Sequence, residues 1–222
     1  MKLEPANQIR LFSHKEKFES LINLYSENKL PNKILFSGEK GIGKCTLAYH
    51  MVNYILSLSE ENPYDTKNLQ INLENKSFKL VQNKSNPNFI LIDVSVDKKN
   101  IDIDQIRNLI LSLNKSSFND KPRIVLIDNI ELLNINSVNA LLKILEEPND
   151  NINFILINNN KKILPTLKSR CLDFKIQLNF EQSIDTINKI INNNIYDLLN
   201  IDLINHYNTP GQLFNLINLQ NQ

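Results

Sequence analysis

The chain has 222 residues, of which 41% are hydrophobic and 22% are charged, and these fractions exclude a disordered or fibrous protein. Its 25 basic and 24 acidic residues nearly balance, which argues against a free-standing, non-specific DNA-binding protein. The two cysteines, Cys45 and Cys171, form no CxxC pair, so neither a zinc module nor a disulfide framework is expected. With no secretory signal and no run of about 18 apolar residues, a reducing cytoplasmic location is expected.

Helical and strand patterns alternate through the first 178 residues. The short apolar strands are each followed by a helical pattern, which predicts an α/β fold with a parallel sheet covered on both faces. Residues 59–87 are polar and irregular, and they are predicted to form a long connection or insertion. The predicted elements are, in chain order, helix 14–29, strand 34–36, helix 44–58, strand 89–94, helix 103–113, strand 124–127, helix 137–147, strand 154–157, helix 164–170 and strand 172–176.

The strand pattern stops at Asn179. Three short helices are predicted beyond it, over residues 180–192, 196–207 and 210–219. We therefore predict two domains, a nucleotide-binding-type domain over 1–178 and a small helical domain over 179–222.

A phosphate-binding loop is predicted between the first strand and the helix that follows it. Residues 38–44 read G-E-K-G-I-G-K, the G-x-x-x-x-G-K pattern in its required strand–loop–helix context. Gly38, Gly41 and Gly43 let backbone N–H groups close around phosphates, and the helix N-terminus adds positive potential. Lys44 is expected to reach the β- and γ-phosphates of ATP or ADP.

The position after Lys44 argues against efficient hydrolysis. Hydrolysing loops usually place Ser or Thr there to hold Mg²⁺, but this chain has Cys45, whose thiol is a soft, weak ligand for a hard cation. Thr46 follows, yet one helical residue is rotated by about 100° and should not reach the same point. We expect bound nucleotide, if present, to hold Mg²⁺ weakly or not at all.

An acidic residue follows the third strand. Asp128 comes directly after Ile124–Ile127 and is placed to hold Mg²⁺ through water, although it could instead only cap the next helix. Active ATPases of this kind follow the Asp with a Glu that orients or deprotonates water. Here the next residue is Asn129, whose amide cannot act as a base, and Glu131 is a poor substitute.

Four further motifs carry a family resemblance. Residues 139–148 read N-A-L-L-K-I-L-E-E-P, residues 164–171 read L-P-T-L-K-S-R-C, residues 104–107 read D-Q-I-R and residues 208–211 read N-T-P-G. They resemble, in order, the N-A-L-L-K-x-L-E-E-P, L-P-T-I-x-S-R-C, D-Q-I-R and G-S-P-G segments of the bacterial DNA polymerase III clamp-loader AAA+ family. The first two are specific, and the resemblance covers about residues 10 to 215.

Within that family the chain is most similar to the delta-prime-type subunit, whose metal-binding hydroxyl and acidic box are often degraded. The resemblance implies an AAA+ fold, little intrinsic ATPase activity, and a place in the DNA polymerase III holoenzyme. The implied partners are the gamma/tau and delta subunits, the sliding clamp and primer-template DNA. It also implies that Arg170 acts in trans on ATP held by a neighbouring subunit.

The chain departs from the family pattern at three places. The four-Cys zinc module of the motor subunit has no counterpart in residues 59–87, and Gln212 stands where active members have a basic γ-phosphate sensor. The family's third, helical collar domain is not present before the chain ends at Gln222, which puts stable ring assembly in question.

Several residues have a second interpretation. Asn158, with Asn159, lies where the family has a polar γ-phosphate sensor, but an ordinary strand-end Asn fits an Asn-rich chain equally well. Lys161 and Lys162 are either DNA-phosphate contacts or a solvated surface. Arg170 could be only a surface Arg in a salt bridge.

Two other functions compete with a delta-prime role. A motor subunit of the gamma/tau type, or another AAA+ ATPase, fits the phosphate loop but not Cys45, Asn129 and Gln212. A metabolite kinase fits the loop too, but it leaves the Ser169-Arg170-Cys171 segment unexplained and shows no acceptor pocket.

Overall fold

A five-stranded sheet forms the centre of the computed structural model, which describes residues 3–95, 97–115, 119–146 and 151–220. The strand order is β2-β3-β4-β1-β5, and every pairing is parallel. The carboxyl ends of the strands therefore meet at one edge, and the predicted α/β fold is confirmed. The strands are β1 (Lys33–Ser37), β2 (Phe89–Ile92), β3 (Arg123–Ile127), β4 (Ile152–Asn158) and β5 (Leu172–Lys175).

Two hydrophobic clusters cover the two faces of the sheet. Successive strand residues point to opposite faces, so Ile34 and Phe36 enter one cluster while Leu35 enters the other. The first cluster is covered by α1 (Lys15–Ser26), α2 (Lys44–Ser57) and α3 (Lys76–Gln82), and the second by α4 (Ile103–Leu113), α5 (Ile135–Glu146) and α6 (Pro165–Lys168).

The start of α4 shows why the local sequence forms these elements. Asp102 and Gln105 occupy the two positions of a capping box, and Gln105 Oε1 accepts the backbone N–H of Asp102 at 3.0 Å. Short 3₁₀ turns complete the α/β part at Pro5–Asn7 and Ile130–Leu132. Glu147 and Pro148 of the N-A-L-L-K-I-L-E-E-P motif lie outside the described residues.

The prediction that residues 59–87 are irregular was wrong in part, because α3 lies within them. Asn75 caps α3 by accepting the backbone N–H of Phe78 at 2.6 Å. Phe78 and Val81, one turn apart, are both buried against the first cluster. This helical pattern consists of only two buried apolar residues, which is too short to be recognised within a polar segment.

The helix predicted over 196–207 was also wrong. The structure has two 3₁₀ turns there, Ile195–Asp197 and Ile201–Leu203, between α7 (Phe180–Ile191) and α8 (Pro210–Gln220). Asn194 and Asn200 accept the N–H groups of Tyr196 and Asp202, so side chains satisfy the backbone locally and a continuous helix does not form.

The helical region after β5 has its own apolar cluster, which includes Ile187, Leu199, Leu213 and Phe214. The domain boundary near residue 178 nevertheless stays a prediction. None of the described helices is long and apolar enough to cross a membrane.

Candidate nucleotide site

The loop between β1 and α2 has the backbone of a phosphate loop. Gly41 and Gly43 have φ values of 89° and 92°, which side-chain-bearing residues rarely adopt. Gly38 directly follows β1 and donates its N–H to the Asn158 carbonyl at 3.3 Å. The loop therefore leads from the carboxyl edge of the sheet directly into the N-terminus of α2.

Lys44 is folded back into this loop and is only 3% exposed. Its Nζ donates to the Gly38 carbonyl at 2.9 Å, to the Glu39 carbonyl and to Asn159 Oδ1 at 3.0 Å. Burial lowers the pKa of Lys44 to about 8, although Asp128 and Glu131 oppose this shift. The loop carbonyls and Asn159 thus hold the ammonium inside the phosphate loop.

Cys45 and Asp128 contact each other at the base of the cleft. Burial raises the pKa of the Cys45 thiol, and the neighbouring Asp128 carboxylate raises it further, so the thiol stays protonated at neutral pH. Burial, together with repulsion from Asp93, raises the pKa of Asp128. Asp128 Oδ1 also accepts the Asn129 N–H at 2.8 Å, and Asn129 rather than Asp128 is the N-cap of the next 3₁₀ turn.

Asn129 is held in a hydrogen-bond network rather than directed at open solvent. It has a left-handed φ of 56°, and its Nδ2 donates to Asp93 Oδ1 at 2.8 Å. Its Oδ1 accepts from Asn159 Nδ2 at 2.7 Å, and the same Asn159 amide donates to Glu131 Oε1 at 2.9 Å. A continuous network therefore connects Asp93 to Lys44 along the sheet edge.

Asn158, which the sequence suggested as the sensor position, does not reach Lys44. Its side chain accepts the Lys161 N–H at 3.2 Å and donates to the Lys161 carbonyl at 2.9 Å. The structure instead brings Asn159 to the phosphate loop. The difference arises because adjacent residues at the end of β4 point in opposite directions.

Sequence reasoning missed Asp93 as a site residue. It follows β2 directly, and β2 pairs with β3 so that Ile92 lies opposite Ile127. Asp93 and Asp128 consequently lie directly after two neighbouring strands, at the same edge of the sheet. The signal was present as an acidic residue after an apolar strand, but the sequence does not give the strand order.

A cleft of about 690 Å³ opens beside the phosphate loop and is large enough for a nucleotide. The N-terminal segment over residues 3–13 and the helices α7 and α8 both line it. Its lining includes Lys44, Cys45, Thr46, Asp128, Asn129 and Asn159 from the α/β part and Thr186, Ile190, Gly211, Gln212 and Phe214 from the helical region.

The helical region contacts the tip of the phosphate loop directly. The Gly211 N–H donates to the Gly41 carbonyl at 2.9 Å, and Thr209 Oγ1 donates to the Lys40 carbonyl at 3.0 Å. Gln212 Oε1 accepts the Thr209 N–H at 2.9 Å. The residue at the sensor position therefore caps the first turn of α8 with its side chain.

Arg170 lies away from this cleft, at the edge of the sheet where the parallel strands begin. It precedes β5, whose first residue, Leu172, pairs with Ile34 near the start of β1, whereas the phosphate loop follows the end of β1. The Arg170 guanidinium donates to the Thr166 carbonyl at 2.7 Å and forms an ion pair with Glu146. Its side chain is 32% accessible.

The remaining candidate residues lie apart from one another. Lys161 and Lys162 are exposed in the segment after β4, and both interpretations of them stay open. Cys45 and Cys171 are free thiols in different clusters. Among the described residues, no group of three or more His, Cys, Asp or Glu side chains is arranged to hold a metal ion.

The sheet and its phosphate loop define a P-loop domain of the AAA+ type. The fold is similar to that of a variant of RuvB from Thermotoga maritima, with a TM-score of 0.52 and 15% identity over 97% of this chain and 65% of that one. This similarity shows the fold alone.

Sequence comparison gives the family. Residues 13–180 match the family model described as DNA polymerase III, delta subunit. The delta' subunit from Buchnera aphidicola of Schizaphis graminum is 30% identical over 81% of this chain and 52% of its own length. The gamma subunit from the same organism is 28% identical over 98% of this chain and 58% of its own length.

The chain belongs to the clamp-loader AAA+ family of DNA polymerase III. It spans about half the length of these curated relatives.

Proposed function

We propose that this chain is a delta-prime-type subunit of a DNA polymerase III clamp loader. In this proposal it acts in the cytoplasm with gamma/tau-type and delta-type subunits to load a sliding clamp onto primer-template DNA. The observation that carries the proposal is the nucleotide site itself, in which a well-formed phosphate loop is joined to a network that contains Asn129 instead of a catalytic carboxylate.

The site supports nucleotide binding better than hydrolysis. ATP or ADP phosphates would replace the loop carbonyls and Asn159 as partners of Lys44. Asn129 cannot accept a proton from water, and its amide is already bonded to Asp93 and Asn159. Both oxygens of Glu131 accept hydrogen bonds from Asn159, which leaves this carboxylate poorly placed to act as a base.

Arg170 is the residue through which the chain would contribute to catalysis. It lies at the sheet edge opposite its own phosphate loop, so it cannot serve the nucleotide of its own chain. A neighbouring subunit packed against that edge would receive the guanidinium. Arg suits this role because it is always charged and donates in a planar, bidentate geometry to phosphate oxygens.

A motor subunit of the gamma/tau type is the second candidate. It is favoured by the intact Lys44 loop and by the similarity to a gamma subunit over nearly the whole chain. Cys45, Asn129 and Gln212 argue against it, because each stands where a hydrolysing site needs a different chemical group.

ATP turnover, measured with the chain alone and then in complex with its gamma/tau-type partner, clamp and primed DNA, tests the proposal. We expect little turnover by the chain alone, and clamp-stimulated turnover in the complex. Arg170→Ala should lower that turnover by about 10³-fold or more, as for other trans-acting arginines. Lys44→Ala in this chain should have a much smaller effect.

The opposite pattern would support the motor. Rapid turnover by the isolated chain that Lys44→Ala abolishes would contradict the delta-prime role. Full activity of an assembled Arg170→Ala complex would contradict the trans-acting arginine. Co-migration of the variant with its partners by gel filtration is the control for assembly.

A further inference from the structure

The N-A-L-L-K-I-L-E-E-P segment has no role in the function proposed above, yet the structure connects it to Arg170. Glu146 is the last described residue of α5 and forms an ion pair with the Arg170 guanidinium across 24 positions of sequence. Through this pair, the two family motifs meet at the sheet edge opposite the phosphate loop.

We propose that Glu146 is a positioning residue for Arg170, fixing the direction in which the guanidinium points toward a neighbouring subunit's nucleotide. This inference rests on the proposed function, because it requires Arg170 to act in trans. It assigns a specific role to one carboxylate of the motif.

Both ends of the contact are anchored in the same core. Leu145, next to Glu146, is 1% exposed, and Leu167 in α6 is also 1% exposed, and both belong to the second hydrophobic cluster. The carboxylate therefore lies at the end of α5, and the arginine lies two residues after the end of α6, and the core holds these two helices together. An ion pair between two anchored elements orients the guanidinium more strongly than one between two flexible surface segments.

The contacts also leave the guanidinium able to bind a ligand. A guanidinium has five N–H donors; one terminal nitrogen donates to the Thr166 carbonyl at 2.7 Å and the other to Glu146 Oε1. Each terminal nitrogen keeps a second N–H, and Nε keeps its own. Arg170 can thus contact phosphate oxygens while remaining held by Glu146 and Thr166.

The stabilising value of the pair is expected to be small. The Glu146 side chain is 54% accessible, and solvent-exposed pairs contribute little to folding. Orientation matters more to catalysis than to stability, because a misplaced group loses transition-state contacts. Loss of Glu146 should therefore change turnover in the complex without preventing folding or assembly.

The test is a double-mutant cycle of Glu146→Ala and Arg170→Ala, measured as clamp-stimulated ATP hydrolysis by the complex. We expect Glu146→Ala to lower kcat about fivefold, with the half-saturating ATP concentration unchanged. Glu146→Gln, which keeps an oxygen acceptor but loses the charge, should fall between Ala and wild type. In the Arg170→Ala background Glu146→Ala should have no further effect.

Glu74→Ala is the matched control, since Glu74 is also an exposed carboxylate in an ion pair, 2.9 Å from Lys79. It should leave turnover unchanged. A wild-type rate for Glu146→Ala beside an inactive Arg170→Ala would overturn the positioning role and leave the proposed function intact. An equal loss on both backgrounds would show a structural role and also overturn it. A wild-type rate for Arg170→Ala would instead refute the proposed function.

Discussion

His50 is a histidine that the fold keeps neutral. It is fully buried, with Nδ1 2.7 Å from the Tyr64 hydroxyl and Nε2 3.1 Å from the Gln8 carbonyl. Burial lowers the pKa of His50 to about 4, although the Gln8 carbonyl partly opposes the shift. Because Phe18 and Tyr64 pack around the ring, the folded chain has no room to solvate a charged imidazole there.

We predict that this histidine makes the fold sensitive to mild acid. In the unfolded chain the ring titrates near pH 6.5, so its contribution to stability is complete above that pH and is lost as pH falls toward 4. Between pH 7.5 and 5.5 the free energy of unfolding in urea should decrease by about 1 kcal/mol from His50. Burial also lowers the pKa of His14, which adds to the decrease.

His50→Gln removes the titrating group and should make this pH dependence shallower, at some cost in stability at pH 7.5. NMR titration of the ring is the independent check. If the His50 ring becomes charged near pH 6.5 while the chain stays folded, the prediction fails.

At the level of single residues, the sequence predicts the site where a motif fixes the spacing. The glycines and Lys44 of the loop lie where their pattern places them. The sequence does not decide whether Asn158 or Asn159 contacts Lys44, because a shift of one residue at a strand end changes which side chain faces Lys44. Asp93 needed the order of the strands, which depends on long-range packing.

Among the helices and strands, the segment over residues 59–87 is joined to the α/β core by a polar cluster. Lys121 Nζ donates to the Leu56 carbonyl at 2.7 Å and to Glu60 Oε1 at 2.8 Å, and Glu60 also accepts from Ser77 in α3. Burial alone would raise the pKa of Glu60, but the hydrogen bonds from Lys121 and Ser77 lower it below its usual value. The cluster thus ties α2, α3 and the start of β3 together.

We predict that Lys121→Ala lowers the free energy of unfolding by about 2 kcal/mol, because it leaves a partly buried carboxylate with fewer donors. Lys79→Ala is the matched control, since it breaks an ion pair of similar length whose side chains are 52% and 73% accessible. Its effect should stay below about 0.5 kcal/mol. Equal losses in the two variants, measured by urea unfolding, would contradict the prediction.

Elements were predictable from sequence where an apolar period is long and clearly bounded. The five strands and α2 meet this condition, and their predicted positions agree with the structure to within about two residues. Residues 196–207 carry enough apolar residues to suggest a helix, but Asn194, Asn200 and Asn205 bond nearby backbone N–H groups and stop it. The spacing of apolar residues alone does not reveal this competition for backbone hydrogen bonds.

Across the whole molecule, the contact between Gly41 and Gly211 connects the helical region to the phosphate loop. A Cβ built on Gly211 would lie 2.8 Å from Gly41 Cα and 3.1 Å from its carbonyl oxygen. A Cβ on Gly41 would lie 2.5 Å from Thr209 Oγ1. The two backbones approach closely only because neither residue has a side chain, and the helical region is held against the phosphate loop at this point.

Gly211→Ala sets two effects against each other. Ala is favoured over Gly in a helix by up to about 1 kcal/mol, and Gly211 lies in the first turn of α8. The new methyl group would however overlap backbone atoms that cannot rotate away, and such overpacking typically costs about 1–3 kcal/mol. We therefore expect a net decrease in the free energy of unfolding and a longer distance between α8 and the phosphate loop. Urea unfolding measures the stability, and a pair of spin labels on α8 and α2 measures the distance.

Leu219→Ala, at a position on the same helix that is 67% exposed, is the control and should change neither the stability nor the distance. If Gly211→Ala is more stable than wild type with the distance unchanged, helix propensity outweighs the contact and the loop does not hold the helical region in place.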